Sequence, residues 1–363
     1  KNLRFWVDAL DPTAPPLVPT VDKLAIARTE ATSTSQVVRF TKGRASVSVQ
    51  YKDTGRLALR VLDSTVSPQV RGATASFVSV PADLKIVAVT NASGMANPGS
   101  STPTGKLFAR AGDSFSVTVD AVDAAGDLTP SFGRESVPET IRLRSSTLVA
   151  PDTGRNGTTD EGTIDNGTAF TADARAGRFV GTTFAFDEVG AIRLQASVAD
   201  GDFLGTGPFL GSESGVVGRF APHHFTVTAN APRFATGCSV GAFTWMGQPF
   251  GFAPGFEAEL IVTAVGSDGE TTANYVDDWM RLSNATLSGR RYRVGGGSVD
   301  ESGLPATTVD PTITTRNDGS AILDFSTGNG ISLVRGAPAA PFDAEVELSI
   351  DVLDADATAY PSH

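Results

Sequence analysis

Apolar residues in this chain recur with a period of two. In ASVSVQY, residues 45–51, Ala45, Val47, Val49 and Tyr51 alternate with polar side chains. SFSVTVDAV, residues 114–122, sets Phe115, Val117, Val119 and Ala121 against Ser, Thr and Asp, and VELSIDV, residues 346–352, repeats the scheme with Val346, Leu348, Ile350 and Val352. Successive side chains on a strand point to opposite faces, so such alternation marks half-buried strands. No stretch of ten residues or more has amphipathic helical spacing. Turn chemistry fills the gaps at Asn156-Gly157, Asn166-Gly167 and Asp318-Gly319. KDTG, residues 52–55, reads as a hairpin turn between ASVSVQY and LALRVLD at 57–63.

An all-β chain follows, and its 363 residues suit two or three domains of roughly 150 residues each. Its 38 Gly, 21 Pro and 19% charged residues, against a usual charged share of about 25%, agree with many turns and little helix. A net charge of −11 argues against a nucleic-acid partner, because phosphate backbones are bound by clustered Lys and Arg. The single cysteine, Cys238, has no intramolecular partner, so core burial and sheet hydrogen bonds must hold the fold. No run of about 18 apolar residues is present, which excludes a transmembrane helix within this stretch. A start at Lys1, without initiator Met or signal peptide, implies a mature or trimmed piece of a longer protein.

Three collinear blocks reveal an internal duplication. VPADLKIVA at 80–88 aligns with APHHFTVTA at 221–229, placing Pro81 on Pro222, Leu84 on Phe225, Ile86 on Val227 and Ala88 on Ala229. FSVTVDAVDAAGDLTPSF at 115–132 aligns with AELIVTAVGSDGETTANY at 258–275, and IRLRSSTL at 141–148 with MRLSNATL at 280–287. The expected architecture is therefore three tandem immunoglobulin-like β-sandwich modules, 1–78, 79–219 and 220–363, with the last two copies of a unit of about 140 residues. Pro81 and Pro222 each open a module, since proline fixes its own backbone and biases its predecessor to extended geometry.

GRFAPHHFTV, residues 218–227, concentrates candidate chemistry in Arg219, His223 and His224. Adjacent side chains on a strand diverge, so two neighbouring histidines make a poor metal site. Ala82 and Asp83 stand in the first copy where His223 and His224 stand in the second, so the repeat itself does not need imidazole. An inter-module seam of Pro81, Gly218, Arg219, Phe220, Pro222, His223, His224 and Phe225 is the preferred reading, with His363 too far along the chain to help. GSESG at 211–215 lacks the serine of a nucleophile elbow, and GTGPFLG at 205–211 lacks the strand-turn-helix frame of a phosphate loop; both read as turns. Asp120, Asp123 and Asp127 in DAVDAAGD, like Asp351, Asp354 and Asp356 in DVLDADA, suit either Ca²⁺ or the capping of their own turns. Four Asn-x-Ser/Thr sequons start at Asn91, Asn156, Asn166 and Asn284. Two of them are the Asn-Gly turns.

CSVGAFTWMGQPFGFAPGF, residues 238–256, crowds Phe243, Trp245, Met246, Gln248 and Phe250 together. Alternation of Phe243 and Trp245 suits a strand with both side chains inward, which makes core packing the first expectation. Exposed, the same rings would form a patch for a sugar or a partner surface. Cys238 is expected to be a buried small hydrophobe or the partner of a cysteine elsewhere.

The order Gly218, Arg219, Phe220, Pro222, Phe225, then Cys238, then Phe243, Thr244, Met246, Gly247, Gln248, then Asn274 and Tyr275, resembles a family of large bacterial surface proteins of the MshQ type. These are associated with biogenesis of mannose-sensitive haemagglutinin type IV pili and carry a long domain of unknown function. The resemblance runs from about residue 40 onward and departs at Trp245, where Tyr is the rule, and at Val80-Pro81, where Arg-Pro is. It implies an exported, non-catalytic stalk or tip component at the outer cell surface of a bacterium, with pilus subunits or other surface proteins as partners. A glycan-binding adhesin using the aromatic segment is the alternative, and a surface glycoside hydrolase the last choice. No cofactor is expected unless Ca²⁺ sits at Asp120, Asp123 and Asp127.

Overall fold

The computed structural model describes residues 1–152, 164–238, 243–295, 310–326, 331–333 and 340–360. His363 and the turn and sequon at Asn156 lie outside them. Among the described residues the chain is strand and turn, with a single 3-10 turn at Asp277–Trp279.

Strands gather in three successive groups. In the first, Ser35–Val37, Asn2–Asp11 and Gly55–Asp63 lie side by side, with Val70–Ala73 and Phe77–Ser79 also on Gly55–Asp63; a small sheet of Leu24–Ala25, Thr20–Val21 and Val49–Gln50 shares their core. The second is a full sandwich. One sheet runs Ile164–Asp165, Arg178–Phe186, Ser114–Val122, Asp83–Asn91, and the other Ala109–Arg110, Val217–Ala221, Gly190–Val198, Ile141–Ala150. Between them Phe108, Phe115, Phe184, Phe186 and Phe220 interlock, with Phe186 and Phe220 centred 4.9 Å apart. Each such ring contributes about 1.5–3 kcal/mol by leaving water. The third group pairs His224–Ala229, Glu259–Val265, Ser320–Asp324 and Thr312–Thr315 in one sheet and Ser288–Gly295 with Glu345–Asp351 in another. Phe225, Tyr275, Trp279, Leu323 and Phe325 fill its core.

Short links join the groups: Val80, Pro81 and Ala82 separate Ser79 from Asp83, and only Pro222 and His223 separate Ala221 from His224. Both prolines are buried.

Strand register carries the duplication into three dimensions. Leu84 sits opposite Ala121 and Phe225 opposite Ala264; on the other edge Val119 meets Phe179 and Val262 meets Ala321. Thr129 N–H donates to Ala121 O and Thr272 N–H to Ala264 O, each at 2.9 Å. Over these threonines lie Gly177, at φ +86°, and Gly319, at φ +80°. A Cβ there would stand 2.6 and 2.2 Å from the threonine carbonyls, so both turns demand glycine for space as well as for φ.

Three expectations are corrected. KDTG does not turn a hairpin: Val49–Gln50 pairs with Thr20–Val21, while Gly55–Asp63 joins the other sheet, so Tyr51–Gly55 crosses between layers. The third repeat block diverges, since Ile141–Ala150 is a strand whereas Met280–Leu287 holds a turn at Ser283–Thr286, closed by Thr286 Oγ1 on Ser283 O at 2.8 Å. Buried Met280 and Leu282 still match Ile141 and Leu143. Finally, Gly211–Glu213 lie in a strand, Leu210–Glu213, rather than a turn.

Candidate functional site at the module seams

The second seam centres on Arg219. Its strand, Val217–Ala221, is buried along its whole length, bonded to Gly190–Val198 on one side and Ala109–Arg110 on the other. Only 3% of Arg219 is exposed. Its guanidinium grips the Asp356 carboxylate of the third module through both terminal nitrogens, at 2.8 and 2.6 Å, while Nε donates to Gly105 O at 2.8 Å. Arg281 adds a second guanidinium on Asp356 at 2.6 Å. Arg110 completes the joint by donating to Pro222 O, Thr358 Oγ1 and Asp356 O. Beside them Tyr275 donates its hydroxyl to buried Asp354 at 2.7 Å, and burial followed by the Asp354 charge pushes the phenol far up.

Each seam also holds a carboxylate clasp with the same design. At the first, buried Asp53 accepts from Ser131 N at 2.8 Å, Ser131 Oγ at 2.7 Å and Thr54 N at 2.9 Å. At the second, buried Glu188 accepts from Ala273 N at 2.6 Å, Asn274 N at 3.1 Å and Val189 N at 2.9 Å. Ser131 and Asn274 occupy equivalent corners of the repeat, two residues past the buried Thr129 and Thr272. The accepting carboxylates also correspond, because Tyr51-x-Asp53-x-Gly55 and Phe186-x-Glu188-x-Gly190 both run from one sheet to the other. Burial raises the Asp53 pKa against the hydrogen bonds from Ser131. Asp11 adds a further contact at the first seam, accepting from Ser136 N at 2.7 Å and Ser136 Oγ at 2.8 Å.

The histidines do not diverge as strand geometry led us to expect. The strand begins only at His224, so the two rings turn together, edge to face at 5.2 Å, with Nδ1 to Nδ1 at 2.9 Å. One ring donates and the other accepts. His224 is held below its ordinary pKa by burial and by His223. Asp113 approaches His223 Nε2 at 3.9 Å, outside hydrogen-bond range. No group of three metal-ligating side chains converges among the described residues. The calcium trio does not converge: Asp120 is paired with Arg178 at 2.6 and 2.7 Å, while Asp123 caps Ala125 N and Asp127 N and shares Lys52 with Asp127.

The aromatic segment splits into two faces. Met246 and Phe250 pack toward Phe234, Phe252, Ile331 and Leu333, and Gln248 Oε1 accepts from Trp245 N at 3.0 Å and Cys238 Sγ at 3.2 Å. Phe243 and Trp245 point outward, 50% and 65% exposed and edge to face at 4.9 Å. Core packing is thus the wrong reading for these two rings, and Cys238 is exposed rather than buried.

This arrangement defines a class: tandem immunoglobulin-like sandwiches locked by buried charge at short seams. Family models cover nearly the whole chain, the first Ig-like domain of DUF6701, a domain of unknown function, matching residues 1–76, the second domain 80–179 and the third 188–362. The chain belongs to the DUF6701 family. No curated protein and no solved structure matches it. The match to the third domain begins at Glu188, the clasp residue, ahead of strands Gly190–Val198 and Val217–Ala221 of the second sandwich.

Proposed function

We propose that the chain is a non-catalytic, semi-rigid segment of a bacterial surface protein, acting by contact rather than by turnover. One observation carries this reading: the buried Arg219–Asp356 pair fixes the second sandwich on the third across a two-residue link. Resemblance to MshQ-type proteins supports the finer assignment, a stalk or tip component associated with a type IV pilus and exposed at the outer surface. Immunogold labelling of intact cells and sheared filaments tests it. Gold along filaments or at their tips supports the assignment, and gold confined to the cell body or medium removes the pilus link.

A second reading, glycan binding through Phe243 and Trp245, is favoured by the outward-facing Trp245, since aromatic faces stack on sugar rings. It requires Trp245→Ala to abolish glycan retention while the fold stays intact.

A further inference from the structure

In the second and third modules the strand after the turn glycine has a neighbour on each edge. Arg178–Phe186 is bonded to Ile164–Asp165 and Thr171–Ala172 on one side and to Ser114–Val122 on the other. Ser320–Asp324 lies likewise between Thr312–Thr315 and Glu259–Val265. The first module repeats half of this pattern. Gly43, at φ +78°, takes the place of Gly177, and the segment it opens ends in Tyr51-x-Asp53-x-Gly55, as the other ends in Phe186-x-Glu188-x-Gly190. Thr20–Val21 pairs antiparallel with Val49–Gln50, one residue short of the place where Ile164–Asp165 pairs with Ala185 and Phe186.

On the far edge, where Ser114–Val122 lies in the second module, the first module has no strand among the described residues. Thr41 to Gln50 are all exposed, with Val47 at 37% and Val49 at 42%. Sheet edges are ordinarily blunted by charge, proline or a bulge, because free N–H and C=O groups recruit further strands. ASVSVQ, residues 45–50, carries neither charge nor proline. Beyond its bonds to Thr20–Val21 and Asp22, the segment keeps the alternating pattern of a paired strand with no partner on its far edge among the described residues.

We propose that this edge of the first module accepts an added antiparallel β-strand from outside residues 1–363, an extended segment in which apolar residues alternate with Ser or Thr. The chain itself specifies that chemistry, since SFSVTVDAV occupies the equivalent edge in the second module; in the third the strand is ELIVTAV, where buried Val262 and Ala264 flank Thr263. Main-chain bonds give such an addition its affinity and the alternate side chains its register.

The probe is a synthetic peptide, DSFSVTVDAV, added to the full chain, with amide hydrogen exchange as the readout. We expect saturable binding and exchange slowed about tenfold or more at residues 45–50, with the second-module strand Arg178–Phe186 unchanged. A peptide of the same composition, with its apolar residues grouped at one end, should give no protection. In the chain carrying Val47→Lys and Val49→Lys, both exposed positions, protection by the alternating peptide should vanish; if that variant fails to fold, the grouped peptide still decides. Absence of protection by the alternating peptide, or equal protection by the grouped one, overturns the proposal. Residues 45–50 already protected in a dimer of the unmodified chain would overturn it too, by assigning the edge to a second copy.

Discussion

The two seams share the carboxylate clasp but differ in what surrounds it. At the first, Asp53 and Asp11 are held by N–H and O–H donors, and the cationic contacts are peripheral: Lys52 on Asp127 at 3.3 Å and Arg56 on Leu204 O at 2.5 Å. At the second, Glu188 repeats the clasp while Arg219, Arg281 and Arg110 converge on the loop around Asp356. A clasp of backbone donors positions two modules. Adding a buried ion pair makes separation expensive, because Arg219 would be left without a counter-charge and Asp356 with Arg281 alone.

The largest expected effect is therefore Arg219→Ala. It takes the bidentate partner from Asp356, which keeps Arg281, and should destabilise the chain by about 3 kcal/mol, the low end for a broken buried pair, read from urea unfolding. Next come Asp53→Ala and Glu188→Ala, each stranding buried backbone donors at a cost of about 1–3 kcal/mol. If either equals Arg219→Ala, the cation is not what separates the seams. Smaller and pH-dependent is Glu139→Gln, close to the first seam. Burial, then the charges of Asp200, Glu135 and Asp202, push Glu139 up to about 7 from an ordinary 4.5. Its neutral form therefore favours the fold: the contribution is complete below about pH 4.5 and is lost as pH rises through 7. The glutamine variant should melt higher than the parent at pH 8 and alike at pH 4.5, a difference that Arg219 variants should not show. Trp245→Ala should be the mildest, under about 0.5 kcal/mol by thermal unfolding, because its ring already faces water.

Much of the architecture was legible in the sequence. Period-two runs marked Ser114–Val122 and Glu345–Asp351, and the alignment of Pro81 with Pro222 located two links that the structure repeats, each proline buried and followed three residues later by a buried Leu84 or Phe225. Arg219 and Asp356 were each singled out but not as partners, since 137 residues separate them and no local pattern connects them. Asp53 and Glu188 were missed for a similar reason. KDTG has turn composition, and a turn aspartate ordinarily caps its own backbone; here it does so at Thr54 and also reaches Ser131. The recurrence of aromatic-x-acid-x-Gly at 51–55 and 186–190 was the available signal. Trp245 failed differently: alternation tells which residues share a face, and says nothing about whether another layer covers that face.

The shortness of the second link has a mechanical consequence. Pro222 and His223 are the whole of the chain between Ala221 and His224, and two residues reach at most about 7 Å when fully drawn out. There is no slack to uncoil. Tension applied along the chain passes directly from the buried strand Val217–Ala221 into the first strand of the next sandwich, so the Arg219–Asp356 grip and the sheet bonds beside it take up load together from the onset of the pull.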